Sequence, residues 1–208
     1  MARDEPVTRR NVAPSDKASP KPVPKPVPKP ITAAYLERAA LHYLERYSAS
    51  VAMLHRTLTR RVRNRCRLRG EETAAFTDLI EATVARAVSA GLVDDSRFTQ
   101  GRITSLRRRG ASSRAVSAKL AAKGVPRDLV DDALSQERDA AEAEERPPVE
   151  EVAANAYAKR RRLGPWRRAD QRALYRDRDL AAMARAGFPF SLASRIVDAR
   201  GEDETASQ

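Results

Sequence analysis

The stretch from Asp94 to Leu134 reads DDSRFTQGRITSLRRRGASSRAVSAKLAAKGVPRDLVDDAL, which is three short helices in series with every boundary marked. Asp94 or Asp95 caps the first helix and Gly110 stops it; Ser112 or Ser113 caps the second and Gly124 stops it. Pro126 opens the third, at a position where a missing N–H costs nothing. The apolar residues are few: Phe98, Ile103 and Leu106, then Val116 and Leu120, then Val125, Leu129, Val130, Ala133 and Leu134. A unit with so little to bury is not stable alone, so it needs neighbours.

Comparing the chain with itself finds them. An offset of 62 residues, the separation of Ser50 from Ser112, also sets Leu36 against Phe98, Leu41 against Ile103, Leu44 against Leu106, Leu54 against Val116 and Leu58 against Leu120. An offset of 63, from Gly124 to Gly187, sets Leu120 against Met183, Pro126 against Pro189 and Leu129 against Leu192. Cap, apolar stripe and stop signal recur together, which is the mark of tandem repeats. The expectation is an all-α fold: three tandem three-helix repeats forming an elongated, curved array.

The repeats are expected at 32–93, 94–136 and 149–200. Residues 1–31 contain KPVPKPVPKP, whose alternating prolines forbid helix and favour polyproline II, so a disordered basic tail is expected there. Between repeats two and three, 137–148 reads as an acidic linker: the end of a solvated helix, then a connector kinked at Pro147-Pro148. Residues 201–208 are expected to fray.

Composition removes several function classes. No apolar run approaches the roughly 20 residues a bilayer-spanning helix needs, and only 5% of the 208 residues are aromatic. No membrane role is expected, and the expected location is cytoplasmic. The single cysteine, Cys66, excludes an internal disulfide framework. With His42 and His55 the only histidines, no zinc spacing, nucleophile–base pair or phosphate-cradling glycine loop can be drawn. Cys66 and Trp166 read as packing residues. Asp94-Asp95 and Asp131-Asp132 read as caps and exposed faces. No catalytic residue, metal or cofactor is expected, and the chain does not read as an enzyme.

The remaining signal is positive charge. Lys and Arg number 40 against 28 acids, for a net charge of +12, and the excess is spread over the N-terminal tail and all three repeats. Arg56, Arg60, Arg63 and Arg67 follow one another at four, three and four residues, so they line one face of a helix and suit a row of phosphates. Arg107-Arg108-Arg109 and Arg160-Arg161-Arg162 close the first helices of repeats two and three. Cations at helix C-termini gain about 0.3 to 1 kcal/mol from the dipole alone. Three clusters on related units exceed what capping requires, and polyanion contact is the reading favoured.

Several motifs have a family likeness. GLVDDSRF from Gly91, SLRRRG from Ser105, KLAAKGV from Lys119 and AGFPF from Ala186 resemble the RecX family of bacterial recombination regulators, over about Tyr35 to Ala199. Arg102 stands where many members carry a large aromatic, and the proline-rich leader and the Glu/Ala-rich linker lie outside the shared pattern. The resemblance implies a monomeric crescent of three repeats lying in the groove of the RecA–single-stranded-DNA filament. There it would lower RecA's ATPase and strand exchange, with the ten arginines named above as expected contacts to DNA and filament. Charge and helices alone leave a second reading, a stand-alone helical nucleic-acid-binding protein.

Overall fold

The computed structural model describes residues 28–199, and among them are nine α-helices, two short 3-10 turns and no strand. Unit one comprises α1 (Ala33–Leu44), α2 (Val51–Arg69), a 3-10 turn at Thr73–Phe76 and α3 (Thr77–Ser89). Unit two comprises α4 (Asp95–Arg107), α5 (Ser113–Ala121) and α6 (Arg127–Ala143). Unit three comprises α7 (Val149–Arg161), a 3-10 turn at Gly164–Trp166, α8 (Ala169–Arg185) and α9 (Phe190–Val197).

Of the alternatives the sequence offers, the fold takes Asp94 over Asp95 and Ser112 over Ser113, and it also caps at Thr32 and Ser50. Side chains of Thr32, Ser50, Asp94 and Ser112 accept from amides in the first turns of α1, α2, α4 and α5. Pro126, Pro148 and Pro189 stand immediately before α6, α7 and α9. Each unit closes its own apolar cluster. Leu36, Leu54, Leu58 and Val62 are fully buried in the first, and Val116 and Leu120 centre the second with Met53 of unit one packed against it. Met183, Ile196 and Val197 centre the third, which Trp166 joins from the edge. At roughly 1.5 to 3 kcal/mol per buried aliphatic side chain, these small clusters hold each unit only with help from the next.

The two junctions share one design. The buried Ser50 hydroxyl donates to the Lys123 carbonyl at 2.7 Å, and the buried Ser112 hydroxyl donates to the Ala186 carbonyl at 2.6 Å. Each serine thus caps its own helix and satisfies the open end of the next unit's middle helix. An acid from the following unit then takes the next amide: Asp95 accepts from Val51 N at 2.8 Å, and Glu150 from Ser113 N at 3.1 Å. Glycine makes the approach possible, since a Cβ on Gly124 would lie 2.5 Å from Ala52 Cβ.

Two expectations are corrected. Within the leader, Pro28–Ile31 are ordered: Ile31 enters the core of unit one, and Arg65 donates to the Lys29 carbonyl at 2.7 Å. Residues 1–27 and 201–208, expected to be disordered, lie outside the described residues, as does residue 200. The start of the 137–148 segment, expected to be the end of a solvated helix, is a packed helix end. The apolar stripe of α6 continues through Val130, Leu134 and Ala141, so the helix runs to Ala143 and the chain turns only at Glu145, with φ +52°, before Pro147-Pro148.

Unit three is also fastened at its surface, where Arg176 on α8 grips Asp198 with two bonds of 2.7 Å. The Arg176 hydrogen bond, opposed by some desolvation and helped by Ser194, holds the Asp198 carboxyl below its ordinary range. A depressed carboxylate stabilises the fold above its unfolded pKa and loses that contribution as pH falls through its folded value. Asp198→Asn should therefore destabilise only slightly at neutral pH, because the pair is exposed, and the difference from the parent should vanish in acid. Thermal unfolding of parent and variant at pH 7 and below pH 3 checks this.

Candidate nucleic-acid interface

Where unit two meets unit three a cleft of about 350 Å³ opens to solvent, and a second of about 520 Å³ adjoins it within unit three. Arg109 and Lys119 line the first from unit two; Arg160, Arg161 and Arg185 line it from unit three. The second shares Arg160, Arg161 and Arg185 and adds Arg162, Arg167 and Arg178 beside Tyr175. Together they form one trough with a cationic lining.

Local geometry explains how the side chains converge. The chain turns at Arg162, with φ +54°, leaving the last turn of α7 open beside α8. Gly110, with φ +70°, lets the end of α4 lie directly on α7: a Cβ there would fall 2.4 Å from Tyr157 N. Arg160 donates to the Arg109 carbonyl and tilts over the Tyr157 ring.

Asp179, the acid among the lining residues, is already committed. It is buried, accepts from the Gly164 amide at 2.9 Å and receives two bonds from Arg167, at 2.6 and 3.0 Å. That hydrogen bond raises the Arg167 guanidinium above its ordinary value. Among the described residues, no acid lies within ion-pair distance of Arg109, Lys119, Arg160, Arg161, Arg162, Arg178 or Arg185. Like charges gathered this closely repel until an anion neutralises them.

The ten expected contact residues fare differently. Arg60, Arg63 and Arg67 are exposed on one face of α2, as the spacing predicts. Arg56 is exposed too, but its guanidinium donates to the Lys123 carbonyl at 2.9 Å and helps close the first junction. Arg108 is exposed outside the trough, whereas Arg109, Arg160, Arg161 and Arg162 line it. Arg107 turns inward: its side chain is 9% exposed and bonds to Glu137, Glu150, Ser113 and the Ala111 carbonyl. It has no donor pointing to solvent for a phosphate, and belongs to the junction. Reading the sequence missed Lys119, Arg167, Arg178 and Arg185, which come from three elements and form no run.

The titratable groups considered for chemistry lie away from the trough. His42 is exposed on α1, His55 meets Glu81 at 2.9 Å, and Cys66 is buried in unit one. Among the described residues no cluster fits a metal ion, and no helix is long and apolar enough to cross a membrane.

Fold and site define a class: a tandem helical-repeat protein with a cationic trough at a repeat junction. The family model for the RecX second three-helix domain matches residues 94–134, which is unit two. Regulatory protein RecX of Myxococcus xanthus is 41% identical over 169 residues, covering 81% of this chain and 87% of its own length. That of Agrobacterium fabrum is 25% identical over 164 residues, covering 79% and 82%, and that of Mycobacterium avium 36% over 99 residues, covering 44% and 57%. No solved structure matches. The chain belongs to the RecX family of regulatory proteins.

Proposed function

We propose that this chain regulates RecA by binding along the groove of the RecA–single-stranded-DNA filament and lowering its ATPase and recombinase activity. It does so by contact and not by chemistry, as a cytoplasmic monomer. The observation that carries this reading is the trough, whose unpaired cations come from both sides of a repeat junction. A row of phosphates supplies anions at the spacing such a surface needs, and releases counterions on binding. Arg60, Arg63 and Arg67 on α2 offer a second basic face some distance along the array. Contacts on several units act at high effective concentration, so many weak bonds sum to a strong one.

A chain ending at Glu145 keeps units one and two and loses the greater part of the trough. It should retain its helicity per residue but inhibit the RecA ATPase on single-stranded DNA only at concentrations at least tenfold higher than the full chain, the loss expected when one of several linked contacts is removed. An ATPase titration beside a direct binding assay measures it, and equal potency would remove unit three from the mechanism.

The trough itself favours a second reading, since cations alone bind DNA without RecA. Pull-down of RecA with and without single-stranded DNA separates the two. Capture that needs DNA and survives replacement of RecA by another single-strand-binding protein would support the stand-alone nucleic-acid-binding module.

A further inference from the structure

The first cleft of the trough, with Arg109 and Lys119 facing Arg160, Arg161 and Arg185, exists only while units two and three are held in register, and one guanidinium dominates that contact. Arg107 Nε donates to Glu137 of α6 at 3.0 Å, Nη1 to Glu150 of α7 at 2.9 Å and to the Ala111 carbonyl at 2.9 Å, and Nη2 to the Ser113 hydroxyl at 2.8 Å. Glu150 in turn accepts from the Ser113 amide at 3.1 Å and the Ser113 hydroxyl at 2.6 Å. Helix α7 is therefore pinned at its start by Glu150 and at its end by Arg160 on the Arg109 carbonyl. Gly110 lies against its middle.

The first junction has no such network. At the repeat offset of 62, the residue matching Arg107 is Glu45, which is exposed. Asp95, which takes the place of Glu150 there, accepts from the Val51 amide and makes no ion pair among the described residues. The serine, acid and glycine common to both junctions are enough to stack two units. The ionic latch is an addition made only where the trough lies.

Resting on the trough's assignment as a phosphate site, we infer that Arg107 and Glu150 are positioning residues for polyanion binding. They assemble the trough from its two halves, so an acid strengthens the binding of an anion. Simple electrostatics demands the reverse, because removing Glu150 raises the positive charge of the protein. Breaking the latch frees α7 to swing on the short connector after α6 and populates states in which Arg109 and Lys119 no longer face Arg160, Arg161 and Arg185.

The test measures a fluorescent oligothymidylate bound to the full chain and to three variants: Glu150→Ala, Arg107→Lys, and Glu151→Ala as control. Arg107→Lys keeps the charge but loses the fork that bridges two carboxylates. Glu151 is the next residue on α7, pairs with Arg195 instead, and its loss changes the net charge by the same amount. If loss of the latch leaves about a tenth of molecules assembled, Glu150→Ala and Arg107→Lys bind roughly tenfold more weakly. Glu151→Ala binds as the parent does, or tighter.

Spin labels at Asp132→Cys on α6 and Asp177→Cys on α8 give a readout that a merely stabilising contact leaves alone; Cys66 is buried and stays unlabelled. Their distance distribution should be narrow in the parent and in Glu151→Ala, and broad in Glu150→Ala and Arg107→Lys, at unchanged helicity. Oligothymidylate binding by Glu150→Ala equal to or tighter than the parent's, or a distribution that stays narrow, overturns the latch while leaving the trough intact. A parent chain that does not bind oligothymidylate overturns the phosphate assignment, and this inference with it.

Discussion

Replacing Arg161, Arg178 and Arg185 together by Gln should weaken binding to single-stranded DNA by about a hundredfold at 0.1 M salt. The estimate follows from counterion release: each phosphate neutralised on a single strand contributes about 0.7 to the slope of log affinity against log salt, so three lost contacts remove about two units of slope. Gln is nearly as good a helix former as Arg, and all three side chains are exposed, so circular dichroism should not change. The same exchange at Arg60, Arg63 and Arg67 should cost less, because those side chains line an open helix face with no opposing wall. Equal losses in the two triple variants would put the α2 stripe on a par with the trough and sink the assignment of the junction as the principal contact.

Gly110→Ala is expected to be the most damaging single methyl in the protein, at about 2 to 4 kcal/mol. Its φ of +70° costs any L-residue roughly 1 to 2 kcal/mol, and the added Cβ would lie 2.4 Å from Tyr157 N, 2.7 Å from Tyr157 Cα and 2.8 Å from the Ala153 carbonyl. Those are backbone atoms, so relief requires moving α7 away from α4. Gly70→Ala is the matched control: its φ is +69°, yet among the described residues nothing lies within 4 Å of a Cβ there. Urea unfolding of the two variants isolates the close approach from the backbone preference. Similar losses at both sites would mean that the contact between units two and three is loose enough to absorb a methyl.

Much of the fold was legible because its signals are local. Ser50, Asp94 and Ser112 mark helix starts whether or not a neighbour is present, and their recurrence near one spacing discloses three units. What was not legible is that Ser50 and Ser112 do two jobs. Their hydroxyls also donate to carbonyls 73 and 74 residues away, and nothing in a cap motif shows its long-range partner. The acidic segment after residue 136 misled for a related reason. Its charge reads as the end of a solvated helix, but the segment carries Glu137 toward Arg107 and buries Ala141, so packing and not solvation holds it.

For the site, the sequence by itself determined the amount of positive charge, its grouping at helix ends and the repeat that carries it. Tertiary structure decided which cations are available to a ligand. Arg107 and Arg160 both close the first helix of their unit, and a count of charges treats them alike. Glu137 and Glu150, 30 and 43 residues from Arg107 in the chain, converge on it and take it out of solvent. Among the described residues no acid comes within ion-pair distance of Arg160, so it stays in the trough beside Lys119 and Arg185, which no run of basic residues had marked. Charge is a property of each residue and can be read one position at a time. Whether that charge is spent on another part of the chain depends on the distance between side chains, which is set only when the repeats stack.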